Sequence, residues 1–399
     1  MSPSPSAALV LAATLTVQSL AAMALLTLPV VAPAVADSLG ISAAYVGLYI
    51  ALAYAGAMAS SLFSGGAVRR FGAIRASQIG LLLCAIGVAA CAIESPAAMA
   101  VGAVLIGLGY GPITPASSHL LAITTPAHRM SLVFSIKQTG VPLGGVLAGV
   151  IVPSLADAIG WQWAFLVVAA ASLLCAAIIQ PLCASLDADR DRKQRLSFGN
   201  GLAGPLKLVF SHRSLTVLAA VSFLFSIAQL SLTTYLVTFL HEDLSMGLIV
   251  AGFTLAVAQA AGVAGRLVWG YIADQFLGPS KMLAVIAILI AVSAVATALL
   301  QYVDSPLLVI IVLSLFGSSA VGWNGVYLAE VARQAPAGQA SVATGGTLAM
   351  TFLGVVVGPP LFGLIASIFG NYSLAYATLV IPAGLSLWLL WRHRAAFIK

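Results

Sequence analysis

Charged residues are scarce in this chain, and their scarcity excludes an ordinary soluble fold. Only 7% of the 399 residues are Asp, Glu, Lys or Arg, whereas 61% are apolar. A soluble domain carries roughly 25% charged residues. The apolar runs are continuous and long enough for helices that cross ~30 Å of hydrocarbon, and helices satisfy their own backbone hydrogen bonds in lipid. We therefore predict an all-α membrane protein.

Signatures of enzymes, metal sites and secretion are missing as well. The sequence has no phosphate-binding loop, metal-ligand constellation or Ser/His/Asp arrangement, so we expect no catalytic residue, no cofactor, no metal and no direct use of ATP. A cleavable signal peptide has positive charge before its apolar run, and this chain has no Lys or Arg there. We therefore expect the first apolar run to be retained as a span. Four cysteines have no disulfide spacing and are expected to be small buried side chains: Cys84, Cys91, Cys175 and Cys183.

Twelve apolar segments can be counted, and one polar stretch divides them into two sets of six. The stretch 187–213 is rich in Asp, Arg, Lys, Gly and Asn, and we predict a cytoplasmic central loop there. The predicted domains are a six-helix bundle at 1–186 and a second six-helix bundle at 214–399. The predicted segments are about 8–34, 43–63, 76–93, 99–123, 131–155, 164–184, 214–239, 247–269, 282–302, 306–329, 339–368 and 373–391.

The basic residues fall on one side of this predicted topology. If both termini share a side, all 17 Lys and Arg lie in the loops of that side or in helix ends that open onto it. Because loops rich in Lys and Arg stay in the cytoplasm, we predict cytoplasmic termini in the inner membrane. The net charge of +6 is dispersed among these loops and does not indicate nucleic acid. The opposite loops have no Lys or Arg, and they carry Asp37, Glu94, Asp157, Glu242, Asp243 and Asp304.

The two halves share motifs, which predicts an internal repeat. Gly65-x4-Arg70-x-Gly72 follows the second segment, and Gly270-x3-Asp274 follows the eighth. Two such halves, related by an axis along the membrane normal, place a substrate site at mid-membrane between them. In these features the chain resembles the major facilitator superfamily, whose loop motif after spans 2 and 8 is G-x-L-x-D-R-x-G-x-R/K. The resemblance implies two pseudo-symmetric six-helix bundles and a cytoplasmic gate formed by the five motif residues named here.

An arginine in the eighth segment resembles that of particular branches of the superfamily. Arg266 carries a permanent charge, which at the bilayer centre costs at least ~2.5–3.5 kcal/mol, so it should face a protein interior or a water-filled path. The pattern Arg266-x3-Gly270-x3-Asp274 resembles that of monocarboxylate transporters and oxalate:formate antiporters, in which the arginine binds the substrate anion. A guanidinium suits a carboxylate because it can donate two parallel hydrogen bonds. The open alternative is that Arg266 pairs with Asp274 or a helix end, or reaches the cytoplasm.

Three positions depart from the patterns of these relatives. Ser61 stands where nitrate porters have a second arginine, which argues against nitrate as substrate. Gly262 stands where the monocarboxylate carriers of animals have Asp, so their aspartate-based proton coupling does not carry over. Arg69 stands where the first loop motif of the family usually has Asp.

Further polar residues inside the segments complete the predicted substrate site. Lys137 is the second intramembrane cation, and with Arg266 from the other half it would suit an anion. The open alternative for Lys137 is a side chain that anchors a helix end. Gln259 lies seven residues before Arg266, on the same helical face. Asn324 and Tyr327 are neighbours in the tenth segment and are the further candidates for substrate contact.

Acidic residues are missing from the middle of every predicted segment. Carriers of cations usually need a membrane carboxylate, so this absence disfavours a cationic substrate. His119, near the end of the fourth segment, is a candidate proton relay, and a helix-end histidine without that role is the alternative. We predict a monomeric secondary active transporter of a small organic anion of the monocarboxylate type, working by alternating access as a proton symporter or an anion exchanger. The alternative is an exporter of neutral or amphipathic drug-like compounds.

Overall fold

A computed structural model describes residues 6–125, 133, 136–188, 190–191, 203–336 and 339–397. Within these residues twelve helices are long and apolar enough to cross a membrane, which confirms the predicted all-α fold with twelve spans. We number them α1 to α12 in chain order: Ala7–Leu26, Ala43–Ser61, Ala73–Cys91, Pro96–Leu121, Ile136–Ile159, Trp161–Leu186, Arg213–Glu242, Leu248–Leu277, Pro279–Tyr302, Pro306–Gln334, Val342–Phe369 and Tyr372–Arg392.

Several boundaries differ from the predicted ones. The first predicted segment, 8–34, corresponds to α1 followed by a 3-10 turn at Pro29–Val31 and a short helix at Ala32–Leu39. The eighth continues beyond residue 269, and its end, Ala273–Leu277, widens to a π-helix. A further helix, Ala203–Ser211, lies in the predicted central loop. Parts of the predicted loops and of the fifth segment lie outside the described residues: 126–132, 134–135, 189 and 192–202.

The helices form two compact units. One comprises Met1–Ile41 and Leu52–Gly199, and we call it the N-terminal unit. The other comprises Ser42–Ala51 and Asn200–Lys399, and we call it the C-terminal unit. The change from one unit to the other falls inside the predicted central loop, 187–213. The exact domain boundaries stay a prediction.

In the N-terminal unit, α1 and α5 lie in close contact. A β-carbon at Gly144 would overlap the carbonyl oxygen of Ser19, so glycine lets the two backbones approach this far. One turn earlier, a β-carbon at Gly140 would lie 3.0 Å from Cβ of Gln18. Residues three and four apart share one face of a helix. Lys137, three residues before Gly140, is therefore on the side of α5 that lies against α1.

The first turn of α3 is capped by a carboxylate from the other end of the same unit. Asp187, just after α6, is buried and accepts hydrogen bonds from the backbone N–H groups of Ile74, at 2.8 Å, and Arg75, at 3.0 Å. The first N–H groups of a helix have no intrahelical partner, and the helix dipole favours a negative charge there. Gly72 precedes this turn with a φ of +94°, which favours glycine, and a β-carbon there would overlap the Asp187 side chain.

In the C-terminal unit, the start of α2 is held by a tyrosine of α7. The Tyr235 hydroxyl is buried and lies 2.7 Å from the carbonyl oxygen of Ala44 and 3.0 Å from that of Pro359. It donates its hydrogen to one or the other. This contact explains why residues 42–51, which the predicted domains place in the first bundle, pack with the C-terminal unit.

We expect Asp187→Ala to lower the thermal unfolding midpoint of the purified protein. Two N–H groups at the start of α3 lose their acceptor, and the loss of such a cap costs about 1 kcal/mol. Asp157→Ala removes an exposed carboxylate from the same unit and is the matched control, which should leave the midpoint unchanged. The midpoint is measured by intrinsic fluorescence in detergent, and equal midpoints for the two variants would contradict the capping role.

Candidate functional site

Helix α10 is interrupted in the middle of its length. It consists of two helices, Pro306–Ala320 and Asn324–Gln334, joined by a turn at residues 321–323. A break of this kind leaves backbone carbonyl groups without an intrahelical donor. Inside a bilayer no water is present to replace the donor, so another part of the protein must supply it.

Two side chains of α8 donate hydrogen bonds to carbonyl groups at this break. Nε of Arg266, which is half-buried, donates to the carbonyl oxygen of Val321 at 3.2 Å. The indole Nε1 of Trp269 donates to the carbonyl oxygen of Ser318 at 2.6 Å. A contact with a helix end is one of the interpretations that the sequence leaves open for Arg266, and this contact is present. Its role as a substrate ligand stays a prediction.

The close approach of α8 to α10 depends on glycine. A β-carbon at Gly262 would lie 2.7 Å from Cβ of Val321, and one at Gly265 would overlap the carbonyl oxygen of Ser318. Small residues at such positions let helix backbones touch inside a membrane. An aspartate at position 262, as in the monocarboxylate carriers of animals, would therefore push α10 away from α8.

A tryptophan at the break ties α10 to α7. Trp323 is fully buried, and its Nε1 donates to Oε1 of Gln229 at 2.9 Å. Nδ2 of Asn324 donates to the same oxygen at 3.4 Å. The indole also makes edge-to-face contacts with Phe225 and Tyr327, with ring centroids 5.5 and 5.1 Å apart. The structure thus brings two predicted site residues, Asn324 and Tyr327, together with Gln229, which is not among the predicted ones.

Two predicted site residues are buried inside the C-terminal unit. The hydroxyl of Tyr327 faces the hydroxyl groups of Ser222, Thr347 and Thr351 but has hydrogen-bond geometry with none of them. Gln259 is 4% exposed, and its carboxamide oxygen has no hydrogen-bond partner among the residues that the structure describes. A buried polar group without a partner costs about 1–3 kcal/mol. Both side chains therefore have unused hydrogen-bonding capacity.

The second predicted cation is buried in the N-terminal unit, and the described residues offer it no partner. Lys137 is 1% exposed, and its Nζ makes no hydrogen bond with any described residue. Gln18 of α1, which lies against Gly140, is fully buried. Its Oε1 accepts a hydrogen bond from Oγ1 of Thr114 at 2.9 Å, whereas its Nε2 has no partner in the described part of the chain. This unit therefore buries two hydrogen-bond donors, one of them the amino group of a lysine, for which the described residues provide no acceptor.

Glu330 and His119 are the titratable residues considered for substrate charge and proton coupling. Glu330, in α10, is fully buried and forms an ion pair with Arg333 at 2.8 Å. It also accepts a hydrogen bond from Nε2 of Gln334 at 2.9 Å, so its charge is compensated within its own helix. His119 is half-buried near the end of α4, and its role as a proton relay stays a prediction. No group of three or more His, Cys, Asp and Glu in the described ranges could hold a metal ion.

The predicted gate motif occupies two helix ends with different local structure. Gly65 and Arg70 lie in the last turns of the helix Val46–Phe71, where Arg70 is exposed. In the second copy, Asp274 is exposed in the π-helical turn that ends α8. A β-carbon at Gly270 would have no neighbouring atom within 4 Å, so packing does not require glycine there. The gating role of the motif stays a prediction.

Comparison with known proteins shows the family. The sequence profile of the Major Facilitator Superfamily matches residues 14–347. The chain belongs to this superfamily. It is therefore a multi-pass membrane transporter and not an enzyme, and the predicted resemblance is confirmed.

Relatives within the superfamily include carriers named for organic acids. The Gentisate transporter of Corynebacterium glutamicum is 27% identical over 347 residues, which cover 83% of this chain and 75% of the relative. Monocarboxylate transporter 13 of Rattus norvegicus is 23% identical over 260 residues, which cover 63% of this chain and 56% of the relative. The crystal structure of a D-xylose-proton symporter has the same fold, with a TM-score of 0.75 at 16% identity over 95% of this chain and 96% of that one.

We expect Gly265→Ala to destabilise the protein by about 1–3 kcal/mol, because the added methyl group would overlap the Ser318 carbonyl and force α8 away from α10. Gly270→Ala, on the same helix, is the matched control. Its methyl group meets no atom within 4 Å, and alanine favours a helix over glycine by ~1 kcal/mol. Thermal unfolding of both purified variants tests this, and a Gly265→Ala midpoint at or above that of Gly270→Ala would contradict the tight contact.

Proposed function

We propose that this transporter is a secondary active carrier of a small organic anion of the monocarboxylate type. It moves the anion across the inner membrane by alternating access, with both termini in the cytoplasm, as a proton symporter or an anion exchanger. The observation that carries the proposal is Lys137, a buried amino group with no partner among the described residues.

An unpaired cation in a protein interior is destabilising, because desolvation is not repaid by an opposite charge. An anionic substrate would supply that charge. A carboxylate is well suited, since its two oxygens can accept hydrogen bonds from Lys137 and from Nε2 of Gln18, which has no partner among the described residues. A neutral or cationic substrate would supply no negative charge to the amino group of Lys137. The buried donors of the N-terminal unit therefore favour an anion.

The names of the relatives support the same substrate class. Gentisate is an aromatic carboxylate, and a monocarboxylate is by definition an acid with one carboxyl group. These names apply to the relatives, and the class of substrate is what we carry over to this chain.

Arg266 is the second positive charge in the proposal. Its Nε donates a hydrogen bond to the Val321 carbonyl, at the break that precedes the helix beginning with Asn324. Arg266 therefore also has a structural role. A ligand role and a purely structural role differ in their consequences. Loss of a ligand weakens anion binding, whereas loss of a structural contact lowers the stability of the unliganded protein.

We expect carboxylates to raise the thermal midpoint of the wild-type protein and to have no such effect on Lys137→Met. A ligand that binds only the folded state stabilises it by about 2.7 kcal/mol at a hundred times its dissociation constant. The unliganded Lys137→Met protein should be as stable as the wild type or more so, because an apolar side chain of similar length replaces a buried unpaired charge. The measurement is thermal unfolding in a panel of small anions, amines and neutral drugs at fixed ionic strength.

Lys207→Met, which removes an exposed lysine, is the control and should respond to carboxylates as the wild type does. Stabilisation of the wild type by amines or neutral amphiphiles alone would replace this proposal with the exporter alternative. A Lys137→Met protein that is strongly destabilised yet still responds to carboxylates would assign Lys137 a structural role.

We expect Arg266→Ala to lower the unliganded midpoint and also to weaken carboxylate binding at least tenfold, the effect of losing a charge-assisted hydrogen bond of about 1.5–3 kcal/mol. Trp269→Phe is the matched control, since it removes the other donor to the α10 break without changing the charge. It should lower the midpoint and weaken carboxylate binding much less than Arg266→Ala does. If both variants show only the loss of stability, the ligand role of Arg266 is wrong.

A further inference from the structure

The amide side chains of Gln229 and Asn324 meet inside the C-terminal unit at the α10 break. Gln229 lies about halfway along α7, and Asn324 is the first residue of the second helix of α10. Both side chains are half-buried, so part of each carboxamide is accessible. A polar group at that depth faces a protein interior or a water-filled path and not hydrocarbon. Beside Asn324 the chain leaves room, because the nearest atom to a β-carbon at Gly325 would be the Arg266 carbonyl oxygen, 3.8 Å away.

The orientation of the Gln229 amide is fixed by chemistry. The indole nitrogen of Trp323 is a donor only, so the atom of Gln229 that faces it at 2.9 Å must be the oxygen. The Nε2 group of Gln229, with its two hydrogens, therefore points away from the indole. Asn324 turns its own NH₂ group to the same Gln229 oxygen, at 3.4 Å, which leaves Oδ1 of Asn324 pointing elsewhere. Among the described residues, no hydrogen bond is made by Nε2 of Gln229 or by Oδ1 of Asn324.

Trp323 cannot turn away from this arrangement. It is fully buried, and its ring makes edge-to-face contacts with both Phe225 and Tyr327, at interplanar angles of 77° and 68°. A fully buried side chain in close-packed surroundings keeps one rotamer, so its N–H stays on Gln229. Trp323 is thus a positioning residue, and the two amides are the groups that present hydrogen-bonding atoms.

The amide pair offers one kind of donor and one kind of acceptor, and this combination selects among ligand groups. A carboxylate only accepts and an ammonium only donates, so each would leave one of the two amides unsatisfied. A hydroxyl group does both, since its oxygen can accept from Nε2 of Gln229 while its hydrogen is donated to Oδ1 of Asn324. We propose that Gln229 and Asn324 form a hydroxyl-binding subsite, so that the transported anion is a hydroxy-substituted carboxylic acid.

This inference rests on the proposed function, because it specifies the substrate of an organic-anion carrier. The proposed subsite predicts different affinities for acids that differ only in a hydroxyl group. A site with buried hydrogen-bonding groups disfavours the analogue that leaves them unpaired.

The test measures dissociation constants of the purified protein for matched acids. The aromatic set is benzoate, 3-hydroxybenzoate and 3-methoxybenzoate, and the aliphatic pair is propionate and lactate. The methoxy compound keeps the acceptor oxygen and loses the donated hydrogen. In at least one set, we expect the hydroxy acid to bind about tenfold more tightly than its unsubstituted analogue. The methoxy acid should lose most of that gain.

Two uncharged variants assign the effect to the subsite. Asn324→Ala removes the acceptor, so the hydroxy and methoxy acids should bind equally well. Trp323→Phe keeps an aromatic ring but removes the indole N–H, so Gln229 is free to turn and the preference for hydroxy over unsubstituted acid should fall towards one. Gln275→Ala, which removes an exposed amide, is the control and should keep the wild-type ratios. Ratios of affinities are compared, so a general loss of stability in one variant does not produce the expected result.

The outcomes distinguish this inference from the function on which it rests. If the wild type binds carboxylates through Lys137 but does not distinguish hydroxy acids in either set, the subsite is wrong and the anion carrier stands. The same holds if both variants keep the wild-type ratios. If the wild type binds no carboxylate at all, the proposed function fails and the subsite with it.

Discussion

A backbone carbonyl inside a bilayer needs a hydrogen-bond donor from the protein, and the C-terminal unit depends on this requirement at the break of α10. Arg266 and Trp269 supply donors from α8, and they reach the carbonyl groups because glycine at 262 and 265 allows the two helices to touch. The break in turn places Trp323 against α7, where its N–H fixes the Gln229 amide. The arrangement of the candidate site therefore follows from the way an interrupted helix is satisfied.

Two of the buried charges, those of Glu330 and Lys137, differ in how they are compensated. Glu330 has Arg333 and Gln334 within its own helix, so its burial is compensated before any ligand arrives. Lys137 has no such compensation among the described residues. Proteins keep uncompensated polar groups where function needs them, at a cost in stability. Of these two buried charges, Lys137 is therefore the one that an anionic ligand would compensate.

The sequence predicts the helices better than it predicts their contacts. Twelve spans follow from hydropathy and loop charge, because lipid requires long apolar runs, and Lys137 and Arg266 stand out in such runs as charges. Arg266 donates to a backbone carbonyl 55 residues away, and every residue type has such a group, so no sequence pattern marks this acceptor. Asp187 looks like a loop residue because its neighbours are polar, yet it caps a helix 113 residues earlier in the chain. Gln229 lacks a sequence signal too, since an amide in a span commonly only joins helices.

The contact between Gly72 and Asp187 limits how this sequence can evolve. Any side chain at position 72 would occupy the space of the Asp187 side chain, and a smaller residue at 187 would take the carboxylate from the N–H groups of α3. Neither position can change first without loss, so substitutions at the two sites are epistatic. A homologue without glycine at this point needs a different way to cap α3, and the two solutions are separated by a less stable intermediate sequence.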